Sequence, residues 1–487
     1  MKNYCFLFLI ALFFNYSFDG YSQSGVENPK STQNKKVKDA SAYVYDKDRL
    51  SKEFHKARRD ALRAELPAGS AAVFFTNPVR NRANDVDFPF HPDPNFYYLT
   101  GYTEPNAVLI IYKEPQQLKG GKTDEIIFVQ DRNPEREVWD GRRLGADGTT
   151  SVLGINAAVP NTEFTGYDLK LKNLESVLIA SLPKGAVDSK YETTGLYKMV
   201  ESFKKNTGYP EGNIDNIELS KIMARLRQIK TPEELVLMRK AIDITCEAQK
   251  ELMRTLDPSM TEYQAQALVE FVFMKNGARG PGFPSIVGAG ENSCILHYIT
   301  NRKPLESHDL MVVDIGAEYH GYTADVTRTM PVNGKYSPEQ RKIYELVQKA
   351  QQAGVEACKP GVGFREPHKV ATEIISKGLI DLGIIKEEKE VRKYFMHGTS
   401  HYLGLDVHDP GTYELLEENM VITVEPGIYI AENSDCDPKW WNIGVRIEDD
   451  ILITATGYEN LSACVPRDIS EIEKLMQEQG KYTIGGN

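Results

Sequence analysis

The chain has little cysteine, little tryptophan, no surplus of positive charge and almost no long apolar run. Six cysteines are scattered over 487 residues, without the paired spacing that structural zinc sites or disulfide-rich scaffolds need. Lysine and arginine total 58 against 69 acids, a net charge of -11, so no extended basic face exists to hold nucleic acid. There is no internal repeat and no low-complexity tract. The one marked apolar run, Phe6 to Phe14, is too short to cross a bilayer as a helix. Lys2 precedes it and Gly20-Tyr21-Ser22 follows, which is the layout of a signal peptide with a small-residue cleavage site. Cys5 lies ahead of the run, the wrong place for a lipid-modified cysteine. Residues 1–22 therefore read as a signal peptide and 23–47 as a polar, breaker-rich flexible linker. The expected product is exported, periplasmic or secreted, with no membrane attachment after cleavage. Its five remaining cysteines are odd in number and read mostly as buried thiols. No disulfide framework is expected, although one bridge is compatible with them.

What is present is the composition of a globular protein, 41% hydrophobic and 26% charged, long enough for more than one core. Residues 48–65 place Leu50, Phe54, Ala57, Ala61 and Leu62 at helical spacing until Pro67-Ala68-Gly69 stops the run. Short apolar runs at Ala71–Phe75, Ala107–Tyr112, Ile126–Val129 and Ser176–Ala180 predict strands of a mixed α/β domain over 48–222. Three capping boxes then announce helices: Thr231-Pro232-Glu233-Glu234, Thr261-Glu262-Tyr263-Gln264 and Ser337-Pro338-Glu339-Gln340. Strand-like runs at Ser285–Val287, Met311–Ile315, Met420–Val424 and Ile451–Ile453 lie between and after them. This predicts a single α+β domain over 223–478, with the boundary in the segment 214–230.

Candidate chemistry sits in that second domain. Met311 to Arg328 rises as a strand to Asp314, turns through small residues and carries a second acid at Asp325. Two acids at apolar strand ends converge if the segments form a hairpin, and buried carboxylates need a partner, a proton or a metal. Downstream, His397, His401 and His408 fall within twelve residues of a chain holding nine histidines. Glu425 ends a strand before Pro426-Gly427, and Arg446 and Glu448 share one face of a predicted strand. Asp449 and Asp450 read as turn or solvent residues. Asp314, Asp325, His401, Glu425 and Glu448 together are too anionic for one cleft without cations. Their oxygen-rich set suits two divalent ions bridged by shared carboxylates, manganese, cobalt or zinc before copper.

Several segments resemble the Xaa-Pro aminopeptidases (aminopeptidase P), pita-bread metallopeptidases whose family also holds prolidase, methionine aminopeptidase and creatinase. In the N-terminal half these are Arg58-Arg59, Pro67–Ser70, DPNFYYLTG (93–101) and WDGRR (139–143). In the second half they are GAGENSCILHY (288–298), VVDIGAEYHGYTADVTRT (312–329), MHGTSHYLGLDVHD (396–409), TVEPGIY (423–429) and VRIEDD (445–450). The resemblance implies a pita-bread catalytic domain in which Asp314 chelates one metal, Asp325 and Glu448 bridge both, and His401 and Glu425 complete the other. It implies two divalent ions, with manganese favoured, that supply hydroxide near neutral pH. Glu425 would shuttle the proton to the leaving proline nitrogen, while His297 and His408 position substrate and stabilise the oxyanion. Arg446 would be an outer partner of the ligands or a substrate-binding group. His397 reads equally as such a partner or as a packing residue. Trp139 reads equally as a core residue or as one reaching a neighbouring subunit, in a family that forms homo-oligomers, dimers or tetramers.

Two departures stand out. Phe283 occupies a position where many members carry a tyrosine near the metals. The loop from His408 to Glu425 has no arginine of the kind prolidases use to hold a dipeptide carboxylate, which favours longer proline-containing peptides. The alternatives are an Xaa-Pro dipeptidase and, from another class, a binding module that has lost its ligands. No ligand is missing here. Creatinase-like chemistry without metal is disfavoured by the same observation.

Overall fold

The computed structural model describes residues 45–186 and 195–482, so the expected signal peptide and most of the linker lie outside the described residues. Ser51 caps the first helix, Lys52–Glu65, by accepting from the Phe54 amide. Behind it stands a six-stranded sheet in the order 158–160, 121–129, 108–118, 70–75, 176–178, 214–215. Its centre is antiparallel and its flanks are parallel. Strand Ser70–Phe75 is buried on both faces, and alternate residues go to different cores. Ala72 and Phe74 join the large core shared with the second half, whereas Ala71, Val73 and Phe75 pack under Met199 and Phe203.

The second half begins on helix Pro232–Thr255, whose Thr231 and Glu234 make the expected reciprocal cap. Helix Glu262–Lys275 follows, with Gln264 reaching back to the Thr261 amide. These helices pack on an antiparallel sheet of strands Ile286–Ala289, Leu310–Ile315 and Val326–Pro331. Helices Pro338–Glu356 and Glu366–Asp381 form a second pair, beside strands Val421–Val424, Asp449–Thr454 and Gly457–Asn460. The expected α+β organisation is what the structure has. Helix Glu366–Asp381 was not predicted, because Arg365 provides no side-chain cap to mark its start. Among the described residues no helix is long and apolar enough to cross a membrane.

Three readings are corrected. Asp449 and Asp450 are not turn or solvent residues; both are fully buried at the head of strand Asp449–Thr454. Arg446 and Glu448 do not share a strand. Arg446 ends strand Ile443–Arg446, and the chain changes sheets before Asp449, leaving Glu448 in the passage between them. Trp139 is not a core residue, being 83% exposed on the short helix Pro134–Asp140. The single bridge left open by the cysteine count is present, joining Cys246 on helix Pro232–Thr255 to Cys464 beyond the last strand. Cys358 is a buried thiol, and Cys294 and Cys436 are partly buried.

Candidate metal centre

Asp314 lies at the inner end of strand Leu310–Ile315, opposite Thr327 of the returning strand. Asp325 immediately precedes that strand. Between them the chain detours through Ala317–Thr323, which pairs in a separate sheet. A side chain at Gly316 would collide with the Ala324 carbonyl, so this crossing, which brings Asp325 back against Asp314, requires glycine. Gln249 of helix Pro232–Thr255 fixes both arms by donating to Val313 O and Val326 O, at 2.9 and 2.8 Å.

The other wall is built by pairing a loop against strand Val421–Val424. The Thr423 amide donates to His401 O and the Glu425 amide to Thr399 O, so His401 and Glu425 emerge side by side. His401 Nδ1 donates to its neighbour's carbonyl, Tyr402 O, at 3.0 Å. That fixes the tautomer and leaves the Nε2 lone pair facing the acids, 3.5 Å from both Asp325 Oδ2 and Glu425 Oε1. Ligand atoms of Asp325, His401 and Glu448 all lie within 4.8 Å of one another, the spacing of a shared ion. His297 and His408 are exposed, and the His408 ring lies 4.3 Å from that of His401.

Arg446 is the cation beneath this cluster, buried with its donors engaged. Nη2 donates to Asp314 Oδ2 at 2.6 Å and to Leu296 O, Nη1 to Tyr429 Oη at 2.9 Å, and Nε to Thr327 Oγ1. Thr327 donates in turn to Glu448 Oε2 at 2.6 Å. Tyr429 donates to His397 Nε2, whose Nδ1 donates to Gly398 O. Burial lowers His397 to about 4, so it stays neutral and ends this chain of bonds.

One guanidinium does not balance four carboxylates. Burial, then the neighbouring charges of Asp314, Asp450 and Glu425, push Asp325 far above the usual carboxylate range. Glu448 rises for the same reasons, burial first and then Asp325, Glu425 and Asp314. Glu425 is raised by burial to about 6, with His401 and Arg446 holding it down. Asp314 Oδ1 and Asp325 Oδ1 are buried and accept no hydrogen bond. Orphaned carboxylate oxygens beside an imidazole lone pair are what hard divalent cations bind. The residues present fit such ions.

Seven of the eight sequence-predicted site residues, Asp314, Asp325, His401, His408, Glu425, Arg446 and Glu448, are thus brought together, and His297 is exposed and follows Leu296, whose carbonyl accepts from Arg446. The sequence reading missed Thr327 and Tyr429, which link Arg446 to the cluster, and Asp450, whose Oδ2 accepts from the Asp325 amide at 3.2 Å. All three stand inside quoted motifs, but nothing local marks them as partners.

Comparison with known proteins identifies the family and the fold. Residues 236–455 match metallopeptidase family M24, and residues 55–178 match the aminopeptidase P N-terminal domain. An Xaa-Pro aminopeptidase from Haemophilus influenzae is 38% identical over 441 residues, covering 88% of this chain and 98% of that protein. The structure of proline aminopeptidase P II from Yersinia pestis superposes with a TM-score of 0.78 at 36% identity, over 88% of this chain and 99% of the other. Zinc-substituted E. coli aminopeptidase P in complex with product superposes at 0.77 and 36% identity, over 88% and 98%. The chain belongs to metallopeptidase family M24, with the pita-bread catalytic fold and N-terminal domain of the aminopeptidase P group.

Proposed function

We propose that this chain is an exported dinuclear-metal aminopeptidase cleaving the bond between an N-terminal residue and a following proline. The observation that carries the reading is the convergence of Asp314, Asp325, His401, Glu425 and Glu448 on one buried, anion-rich point. Asp314 would hold one ion, His401 and Glu425 the other, with Asp325 and Glu448 shared between them. Manganese is the proposed metal, and cobalt or zinc would suit the same donors. Bound there, the ions would activate a water molecule for attack on the scissile carbonyl.

The chain's own side chains would do the rest. Glu425 would accept the proton of the attacking water on a carboxylate oxygen and release it to the proline nitrogen, a poor leaving group unless protonated. His297 and His408, both exposed, would donate to the substrate carbonyl oxygen as charge develops on it. Arg446 has its donors committed to Asp314, Tyr429, Thr327 and Leu296, which favours orienting the acids over holding substrate. A dedicated site is needed because an Xaa-Pro bond lacks an N–H and its proline φ is fixed.

The loop from His408 to Glu425 lacks arginine, so peptides longer than two residues are the proposed substrates. Turnover of a tripeptide with proline second, against an Xaa-Pro dipeptide, tests this. Faster tripeptide cleavage is expected, and dipeptide-only turnover would establish the prolidase alternative. Export rests on the leader-like residues 1–22 and gains support from the Cys246–Cys464 bridge, since structural disulfides persist in oxidising compartments. Exposed Val138 and Trp139 offer an apolar face for a second copy of the chain, in the proposed dimer or tetramer.

A further inference from the structure

Beside His408 lies a buried ionic cluster that the reaction does not consume. Asp409 is buried, and its carboxylate accepts from Arg227 Nη2 at 2.5 Å, Lys230 Nζ at 3.0 Å and the Asp406 amide at 3.2 Å. The same Arg227 Nη2 donates to Asp406 Oδ2 at 2.8 Å, and Nη1 donates to Asn95 Oδ1 at 2.8 Å. Arg227 is on helix Glu218–Gln228, which leads into the catalytic half, and Asn95 is on helix Pro94–Thr100 of the N-terminal half. One guanidinium therefore touches both halves of the molecule and both acids of one loop.

That loop is closed on itself. The Asp409 amide donates to Tyr402 O at 2.9 Å, and Gly404 lies so close to the Asp409 carboxylate that a Cβ there would sit 2.5 Å from Oδ2. His401 lies just outside the closure and His408 just inside it, next to Asp409, and their rings meet at 4.3 Å and 72°. An exposed histidine on a loop keeps one orientation only if the backbone beneath it is fixed. Here that backbone is fixed by a carboxylate whose partners are Arg227 and Lys230.

We propose that Arg227, acting through Asp409, is a positioning residue for His408, so that docking of the N-terminal half sets the geometry of catalysis. This rests on the peptidase reading above, in which His408 meets the substrate carbonyl. It differs from a purely structural role, in which the cluster would only hold the two halves together.

A double-mutant cycle on the manganese-loaded, full-length enzyme separates the two. With a tripeptide having proline second, Arg227→Met is expected to lower kcat/KM by about 10- to 100-fold, with metal content unchanged. Arg227→Lys, which keeps the charge but loses the forked geometry, should fall between it and wild type. In a His408→Ala background, Arg227→Met should cost less than about twofold more, because the group being positioned is gone. If its full loss reappears in that background, the proposal is overturned. Asp406→Asn, at a half-exposed partner of Arg227, provides the same cycle should Arg227→Met not fold. A wild-type enzyme inactive on the tripeptide would overturn the peptidase reading itself. An active wild type matched by a fully active His408→Ala would overturn only this inference.

Discussion

Glu448 and Asp449 are neighbours in sequence, equally buried, and live in opposite electrostatic regimes. Asp449 accepts from Arg328 Nη2 at 2.7 Å, Ser462 Oγ at 2.7 Å and Gln351 Nε2 at 2.9 Å, with Arg467 Nη1 at 3.1 Å. Although burial alone would raise it, Arg328 and Arg467 hold its carboxyl below the usual range. Glu448 takes one hydroxyl hydrogen bond, from Thr327, and otherwise faces Asp325, Glu425 and Asp314, which with burial drive it far upward. The first region is a closed ionic network that supports the fold. The second is left short of positive charge, and that shortage is the signature of a site awaiting cations. Burial of acids does not identify a metal centre; burial of acids without matching cations does.

The comparison can be broken most sharply from the under-compensated side. Glu425→Ala should abolish turnover, a loss on the order of a thousandfold or more, if the carboxylate both holds an ion and moves a proton. Asp325→Ala should lose activity and also empty the metal site, read by metal analysis of the purified protein. A metal-free preparation that stays fully active would end the dinuclear reading. Stability should separate the same two regions in the other direction. Asp449→Ala leaves Arg328 buried without its carboxylate and is expected to cost about 3–5 kcal/mol in urea unfolding. Asp325→Ala in metal-stripped protein removes a buried acid whose ionisation the fold disfavours and should leave the urea midpoint unchanged or higher. Equal destabilisation by both would mean that the two clusters do not differ as described.

How much of this was legible in the sequence follows the range of the interaction. Capping at Thr231, Thr261 and Ser337 depends on residues three apart, and all three helices begin where that chemistry placed them. Helix Glu366–Asp381 lacks a side-chain cap and was missed. The five proposed ligands could be picked out because each sits at an apolar strand end or small-residue turn, and because the motifs resemble a known family. Asp449 was misjudged because its partner Arg328 is 121 residues away, and nothing in VRIEDD says which acid that guanidinium meets. The Cys246–Cys464 bridge spans 218 residues and leaves no local trace at all. Asp409 reads as one more acid in a histidine-rich loop until Arg227 is seen against it.

The smallest expected effect concerns protons and sharpens the contrast between the clusters. In metal-stripped protein Glu425 is raised from its ordinary 4.5 to about 6. Between those values the folded chain holds a proton that the unfolded chain has released, so acidification from pH 6 to 4.5 favours the fold through this group. Its charge is a burden above pH 6. Asp449 has the opposite sign: its folded value is depressed, so its contribution is present above the ordinary range and is lost as pH falls through the folded value. Buried His55 and His397, both lowered to about 4, also oppose Glu425, because unfolding lets them take up protons below their ordinary 6.5. The measurement must therefore be a difference. Subtracting the unfolding free energy of Glu425→Gln from that of wild type, both metal-free, cancels groups remote from Glu425 such as His55, and repeating it in a His397→Gln background removes the one of the two that lies against the carboxylate. The remainder should shift in favour of wild type as pH falls from 6 to 4.5, by no more than about 1.4 kcal/mol per pH unit for one proton. With saturating manganese that shift should vanish or reverse, since the compensating charge would then come from the ions. A metal-free difference that is flat, or that falls on acidification, would place Glu425 in the same balanced regime as Asp449.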